Sequence, residues 1–182
     1  MNSDAWKSLR IRYREMPEQD PPAPWRRVPV SVGGVVAVGF GTHTELLLVL
    51  THSGLGIIDV PSGEVVARKV DIDDDDYDDR PVQARGIGPL AGQPVALSGL
   101  WGGGLRTMTP DGWMIHRAAP NWPAECAVLC PPGNPGNLDQ SSAILLVKDL
   151  DPPIRALGFS DSGRSMVVAN TLLYIWRRET SF

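Results

Sequence analysis

The chain has 182 residues, with 17 Lys and Arg against 21 Asp and Glu, a formal net charge of −4 and two cysteines. That length fills one sizeable core and is short for two ordinary domains. The mild acidic balance argues against nonspecific nucleic-acid binding, and no apolar run approaches the ~20 residues of a membrane helix.

Residues 1–31 differ from the rest. Ser3 or Asp4 can cap a short helix with Trp6, Leu9 and Tyr13 on one face. The competing reading is a strand over 9–14, alternating Leu9, Ile11 and Tyr13 against Arg10, Arg12 and Arg14. Pro17, Pro21, Pro22 and Pro24 make the following segment extended.

The next stretch, Val35 to Val70, reads as four strands. A strand ends at Phe40, and a turn at Gly41 to Thr44 leads into Leu46 to Leu50. A turn at His52 to Gly54 leads into Gly56 to Val60, and Pro61-Ser62-Gly63 turns the chain into Glu64 to Val70.

Asp71 to Asp79 is the strongest charge feature, with seven aspartates around Tyr77. One reading is a solvated linker, because like charges resist packing. A calcium loop of the EF-hand type is excluded, since Asp76 stands where glycine is needed and Val82 where glutamate is needed. A third reading is an acidic decoy. Asp73, Asp74, Asp75, Asp76, Asp78 and Asp79, with Tyr77 as anchor, would dock on a basic partner surface.

A weaker unit runs from Ala84 to Arg117. Val95 to Ser98 and Leu105 to Thr109 read as strands, and Pro110-Asp111-Gly112 turns into Trp113 to Arg117. Within it, Gly102-Gly103-Gly104 lies among Trp101, Arg106 and Trp113. A tight turn packed by a tryptophan is the plain reading. A recognition surface is the functional one, because Trp and Arg are favoured interface anchors. Gly86, Gly88 and Ala91 loosely echo a dinucleotide fingerprint, but Pro89, Pro94 and the β context remove its physical basis.

Glu125 to Leu150 looks truncated, with strands at Cys126 to Cys130 and Ala143 to Val147 around a Pro/Gly/Asn loop. On an extended strand the two cysteines sit ~13 Å apart, too far for a disulfide. They are expected as buried free thiols, with no further ligand at metal-binding spacing. Reduced thiols, and an N-terminus without the charged-then-apolar pattern of a signal peptide, give the expectation of a cytoplasmic protein.

Ile154 to Trp176 closes the series. Its strands are Ile154 to Phe159, Ser165 to Ala169 and Leu172 to Trp176, joined by turns at Ser160 to Gly163 and Asn170-Thr171.

This last unit resembles the repeats of β-propeller proteins of the WD-repeat type. Phe159-Ser160, Asp161 to Gly163, Met166 to Ala169 and Tyr174-Ile175-Trp176 follow the order of that repeat, although Arg177 replaces the Asp of the naming Trp-Asp pair. The resemblance extends over most of residues 32–178 and implies an all-β, small, irregular propeller-like array of antiparallel blades. At ~40–45 residues per blade there is room for three to four. A compact irregular ring is the favoured solution, with a homodimer as runner-up and an open fan as the third. The organisation expected is an N-terminal extension over 1–31, a β domain over 32–178 and a tail over 179–182. A strand from the extension, either Leu9 to Tyr13 or Val28 to Val32, would fill the missing place in the last blade.

No catalytic set is visible. Ser53 and His52 are neighbours on opposite faces of a strand, and there is no Gly-x-Ser-x-Gly elbow. His43, His52 and His116 are read as turn or surface residues, and Glu45, Glu64 and Glu125 form no evident pair. The expectation is a non-enzymatic protein-binding module without cofactor or metal, monomeric or homodimeric, that binds neither nucleic acid nor membrane. Its specific version is an immunity or antitoxin-type inhibitor, in which Asp73 to Asp79 face a basic cleft of a partner enzyme and Trp101, Arg106 and Trp113 anchor the contact. The alternatives are a ligand-binding or hydrolytic propeller with Arg106, His116 and Glu125 in one pocket, and a self-associating scaffold.

Overall fold

The computed structural model describes residues 3–71, 82–133 and 142–179. The first element is a helix, α1 (Ser3–Glu15). The strand reading of 9–14 is therefore incorrect. The segment is rich in Arg, Lys, Leu and Glu, which favour helix. Arg12 and Arg14 suit the negative end of the helix dipole, and Pro17 follows the last turn.

All the other long elements are strands. β1 (Trp25–Val28) is followed by a meander of β2 (Val35–Phe40), β3 (Leu46–Thr51), β4 (Gly54–Asp59) and β5 (Glu64–Lys69). After the acidic tract come β6 (Gln83–Arg85), a 3-10 turn at Gly88–Leu90, β7 (Pro94–Ala96) and β8 (Ser98–Gly99). β9 (Met114–Asn121), β10 (Ala124–Cys130) and β11 (Ile144–Leu150) follow, and β12 (Ala156–Phe159), β13 (Ser165–Ala169) and β14 (Leu173–Arg178) end the series.

The strands form four antiparallel sheets, none closed on itself. Their orders are β5-β4-β3-β2-β8, β6-β7, β11-β10-β9 and β1-β14-β13-β12. The two outer meanders read from the sequence, β2 to β5 and β12 to β14, are each one hairpin-linked run. Burial explains their legibility. β13 is buried at every position, which gives the unbroken apolar run Met166 to Ala169.

The sheets stack face to face around four apolar clusters. Val36, Leu48, Leu50 and Ile57 of the five-stranded sheet meet Ala84, Leu90 and Val95 beside the two-stranded sheet. Its other face, with Val38, Leu47, Val49 and Ile58, packs on Val28, Val167 and Ile175 of the four-stranded sheet. The opposite face of that sheet offers Trp25, Phe159, Met166 and Trp176 to Trp113, Ile115, Leu129 and Leu146 of the three-stranded sheet. α1 caps the series through Tyr13, over Cys126, Val128 and Leu145.

The four-stranded sheet recruits a strand from the N-terminal region. It is β1, which pairs with β14 from Trp25↔Arg178 to Val28↔Ile175. Both ranges expected for that strand were misplaced: Leu9 to Tyr13 is helical, and Val28 to Val32 shares only Val28 with β1. Trp25 decides the register. Its ring packs edge-on against Trp113 at 5.9 Å and lies 5.8 Å from Phe159.

The unit expected over Ala84 to Arg117 is not one sheet. Its strands fall into three different sheets, and Leu105 to Thr109 makes isolated bridges rather than a strand. Cys126 and Cys130 are buried free thiols.

Candidate partner-binding surface

Ser98 to Thr109 runs across the edges of three sheets in turn. Ser98 and Gly99 pair with Val38 and Ala37 on β2. Arg106 bridges Phe159 on β12, accepting a hydrogen bond from the Phe159 N–H at 2.8 Å. Met108 bridges Met114 on β9, with the Ile115 N–H donating to the Thr107 carbonyl at 2.9 Å. This strap occupies backbone edges that would otherwise stand open, a role that limits edge-to-edge association.

Two glycines make room for the chain that passes these edges. A Cβ at Gly39, the residue before Phe40, would overlap the carbonyl oxygen of Ala96. One at Gly158, the residue before Phe159, would overlap the Leu105 Cβ and lie 2.7 Å from the Arg106 carbonyl oxygen. The same Gly-Phe pair therefore serves the same purpose in both outer meanders.

The inward pegs of the strap are Leu105, packed with the cluster around Val38 and Ile175, and buried Thr109. Its outward side chains are Leu100, Trp101, Arg106 and Met108. Leu100 and Trp101 occupy the two central positions of a tight turn. The Gly99 N–H donates to the Gly102 carbonyl at 2.9 Å and the Gly102 N–H returns to Gly99 at 3.1 Å. Polar residues normally fill such positions. Here a leucine 53% exposed and a tryptophan 43% exposed project from a hydrogen-bonded tip, and Met108, 55% exposed, follows on the same strap. Gly103 holds the base of the turn, at φ +79 and against the Leu97 carbonyl.

Arg106 is committed to an ion pair, its Nε 2.9 Å from Asp161 Oδ1. That hydrogen bond, the lesser Coulombic attraction of Arg106, and the His43 N–H hold the Asp161 carboxyl below the usual carboxylate range. Nearby, Glu45 accepts hydrogen bonds from Ser160, Ser162 and Ser165. The turn before β3 is thus riveted to the turn before β13. With its oxygens so occupied, Glu45 reads as a structural acceptor rather than a general base.

The residues expected from sequence divide unevenly. Trp101 is exposed on the strap. Trp113 is a correction: at 7% exposure it belongs to the core and offers no surface for a partner. Its place just before β9, against the ring of Trp25, explains why. Asp73 to Asp79 and Tyr77 lie outside the described residues. Val82 resumes the described chain beside the strap, since the Leu97 N–H donates to its carbonyl at 2.8 Å. Leu100 and Met108 went unread, although a Leu-Trp pair flanked by Gly99 and Gly102 is itself a sign of an apolar turn tip.

Arg106, His116 and Glu125 are not brought into one pocket. Arg106 faces Asp161, and Glu125 accepts from the Ile154 N–H at 2.9 Å and lies 3.9 Å from Arg117. His116 is a second correction. It lies on β9, and both ring nitrogens are buried, because helix and sheet cover that face. His43 and His52 are exposed. No group of three or more metal-ligating side chains with suitable geometry occurs among the described residues. Comparison with known proteins finds no matching family model, no matching curated protein and no matching solved structure.

Proposed function

We propose that this chain is a non-enzymatic protein-binding module whose strap, through Leu100, Trp101 and Met108, inserts into an apolar depression on a partner protein. The observation that carries this reading is the Leu100-Trp101 turn tip. A rigid tip presents large apolar side chains at little conformational cost, and aromatic residues are the favoured anchors of interfaces. Arg106 joins the contact at the rim, where its ion pair with Asp161 keeps it extended.

The inhibitor version names the partner class as an enzyme with a basic cleft, the arrangement of an immunity or antitoxin protein. Val82, where the described chain resumes after the tract, lies next to the start of the strap, and the run of carboxylates in the sequence over 73–79 suits a basic partner surface. We read the sheets as the blades of an incomplete propeller. The consecutive strand order, the recruitment of β1 and the repeated Gly-Phe positions support that architecture.

Affinity capture from the source organism tests the function. One stoichiometric enzyme should be recovered by the natural chain and lost with the Leu100→Ser, Trp101→Ser pair, while the melting curve stays in place. Replacing the aspartates of 73–79 by Asn should slow association and flatten its salt response. Equal capture by both chains would remove the strap from the interface.

A further inference from the structure

α1 covers one face of the three-stranded sheet, where Met114 and Ala118 of β9 and Cys126, Val128 and Cys130 of β10 form an apolar cluster with Tyr13. His116 lies between Met114 and Ala118 on that face, opposite Val128 and diagonal to both thiols. The Tyr13 hydroxyl and both His116 ring nitrogens are buried and lack hydrogen-bond partners. Such groups are costly, and their concentration under one helix weakens its docking. Polar ties hold the rim of this segment. Arg10 Nε donates to the Pro120 carbonyl at 2.8 Å, Lys148 Nζ to the Arg14 carbonyl at 2.6 Å, and the Gln19 N–H to the Leu145 carbonyl at 2.9 Å.

We propose that α1 is a proton-operated latch: protonation of His116 releases the helix and uncovers the sheet face that holds Cys126 and Cys130. An imidazolium carries two N–H donors and needs two acceptors. The cluster around it offers Tyr13 from α1, the two thiols from β10, and Ala143 and Leu145 from the third strand region. The charged groups at its margins are engaged elsewhere or are cationic. Glu125 serves the Ile154 N–H, and Asp149 takes the Asn121 amide at 3.4 Å. Lys148, Arg10 and Arg12 are positive and oppose a further positive charge. Once the helix leaves, water solvates the ring.

Burial lowers the His116 pKa from its ordinary value. The undocked ring titrates near ~6.5, so the undocked state takes up more protons below that pH. Docking is therefore fully stable above this range and weakens as pH falls through it, by at most about tenfold per unit.

The experiment is the reaction of the full chain with 4,4′-dithiodipyridine, a thiol reagent that works in acid. Each rate is divided by that of the urea-unfolded chain at the same pH. Between pH 7 and pH 5.5 the normalised rate should rise, by up to about eightfold, with hydrogen exchange in the five-stranded sheet unchanged, and His116→Gln should abolish the rise. A flat natural chain, an equal rise in His116→Gln, or a rise only with global unfolding overturns the latch. If His116→Gln does not fold, the ring-proton NMR titration of the natural chain decides. A His116 midpoint below the ~6.5 of a free imidazole upholds the proposal, and a midpoint at that value overturns it.

Discussion

The two outer meanders and the strap solve the same problem in opposite ways. In β2 to β5 and β12 to β14, neighbours in sequence are neighbours in the sheet, and each strand is specified by its own burial pattern. In the strap, neighbours in sequence belong to three different sheets. Its conformation comes from edges and glycine recesses supplied by other parts of the chain. Local pattern therefore builds the sheets, and non-local backbone contact joins them.

The sharpest way to break this contrast is to attack each side in its own terms. Trp176→Ala removes a ring 1% exposed from the meander core, together with the 2.9 Å hydrogen bond from its Nε1 to Asp20. It should cost about 3–5 kcal/mol in denaturant melts. Gly158→Ala leaves every strand pattern intact but drives a Cβ into the strap at φ +154. We expect a loss of about 2–3 kcal/mol, with hydrogen exchange accelerated first at residues 105–109. Gly104→Ala, where a Cβ meets nothing within 4 Å, should change stability by no more than ~0.5 kcal/mol. Equal effects at Gly158 and Gly104 would show that the strap does not press on β12.

A subtler probe uses Arg178, which joins the end of β14 to the turn beyond the strap. Its guanidinium makes two 2.6 Å bonds to Asp111 and lies 4.9 Å over the Trp25 ring. The hydrogen bond from Arg178 holds the Asp111 carboxyl well below its ordinary value. The folded pKa lies below the unfolded one of about 4, so this contribution is present above pH 4 and lost as pH falls below it. Asp111→Asn should blunt the fall in stability between pH 4 and pH 2. A fall as steep as in the natural chain would assign it to other carboxylates. The smallest effect belongs to Leu100→Ser, Trp101→Ser, within ~0.5 kcal/mol of the natural chain, because an exposed tip contributes little to folding. A large loss there would make the tip a structural clamp.

Sequence pattern reaches as far as the local half of this contrast. Val35 to Val70 is legible almost strand for strand, because Gly, Pro and Ser turns separate apolar runs that are buried in β2 to β4, and a tight turn leads into the more exposed β5. The Ala84 to Arg117 region is not, since its pairing partners are chosen by edges that no local window contains. Trp113 was misread for the same reason. Tryptophan near a glycine loop has the composition of an anchor, and only its packing on Trp25 reveals a core residue. The alternation Leu9, Ile11, Tyr13 was an accident of interleaved arginines, and helix propensity with the Tyr13 pocket prevailed. Of the surface, Trp101 was legible. Leu100 and Met108 became visible only with their exposure.

The pairing of β1 with β14 sets an order of events in time. Trp25 meets Arg178 across more than 150 residues of chain, so the loop between them must close before the four-stranded sheet is complete. β2 to β5 can form from local hairpins as soon as residue 69 is free, and β12 to β14 likewise when they appear. During synthesis the strand of Trp25 waits with its ring and backbone unpaired while the other sheets assemble. The closing step, docking of β1 with its burial of Trp25 against Trp113 and Phe159, is then expected as the slowest change in tryptophan fluorescence during refolding.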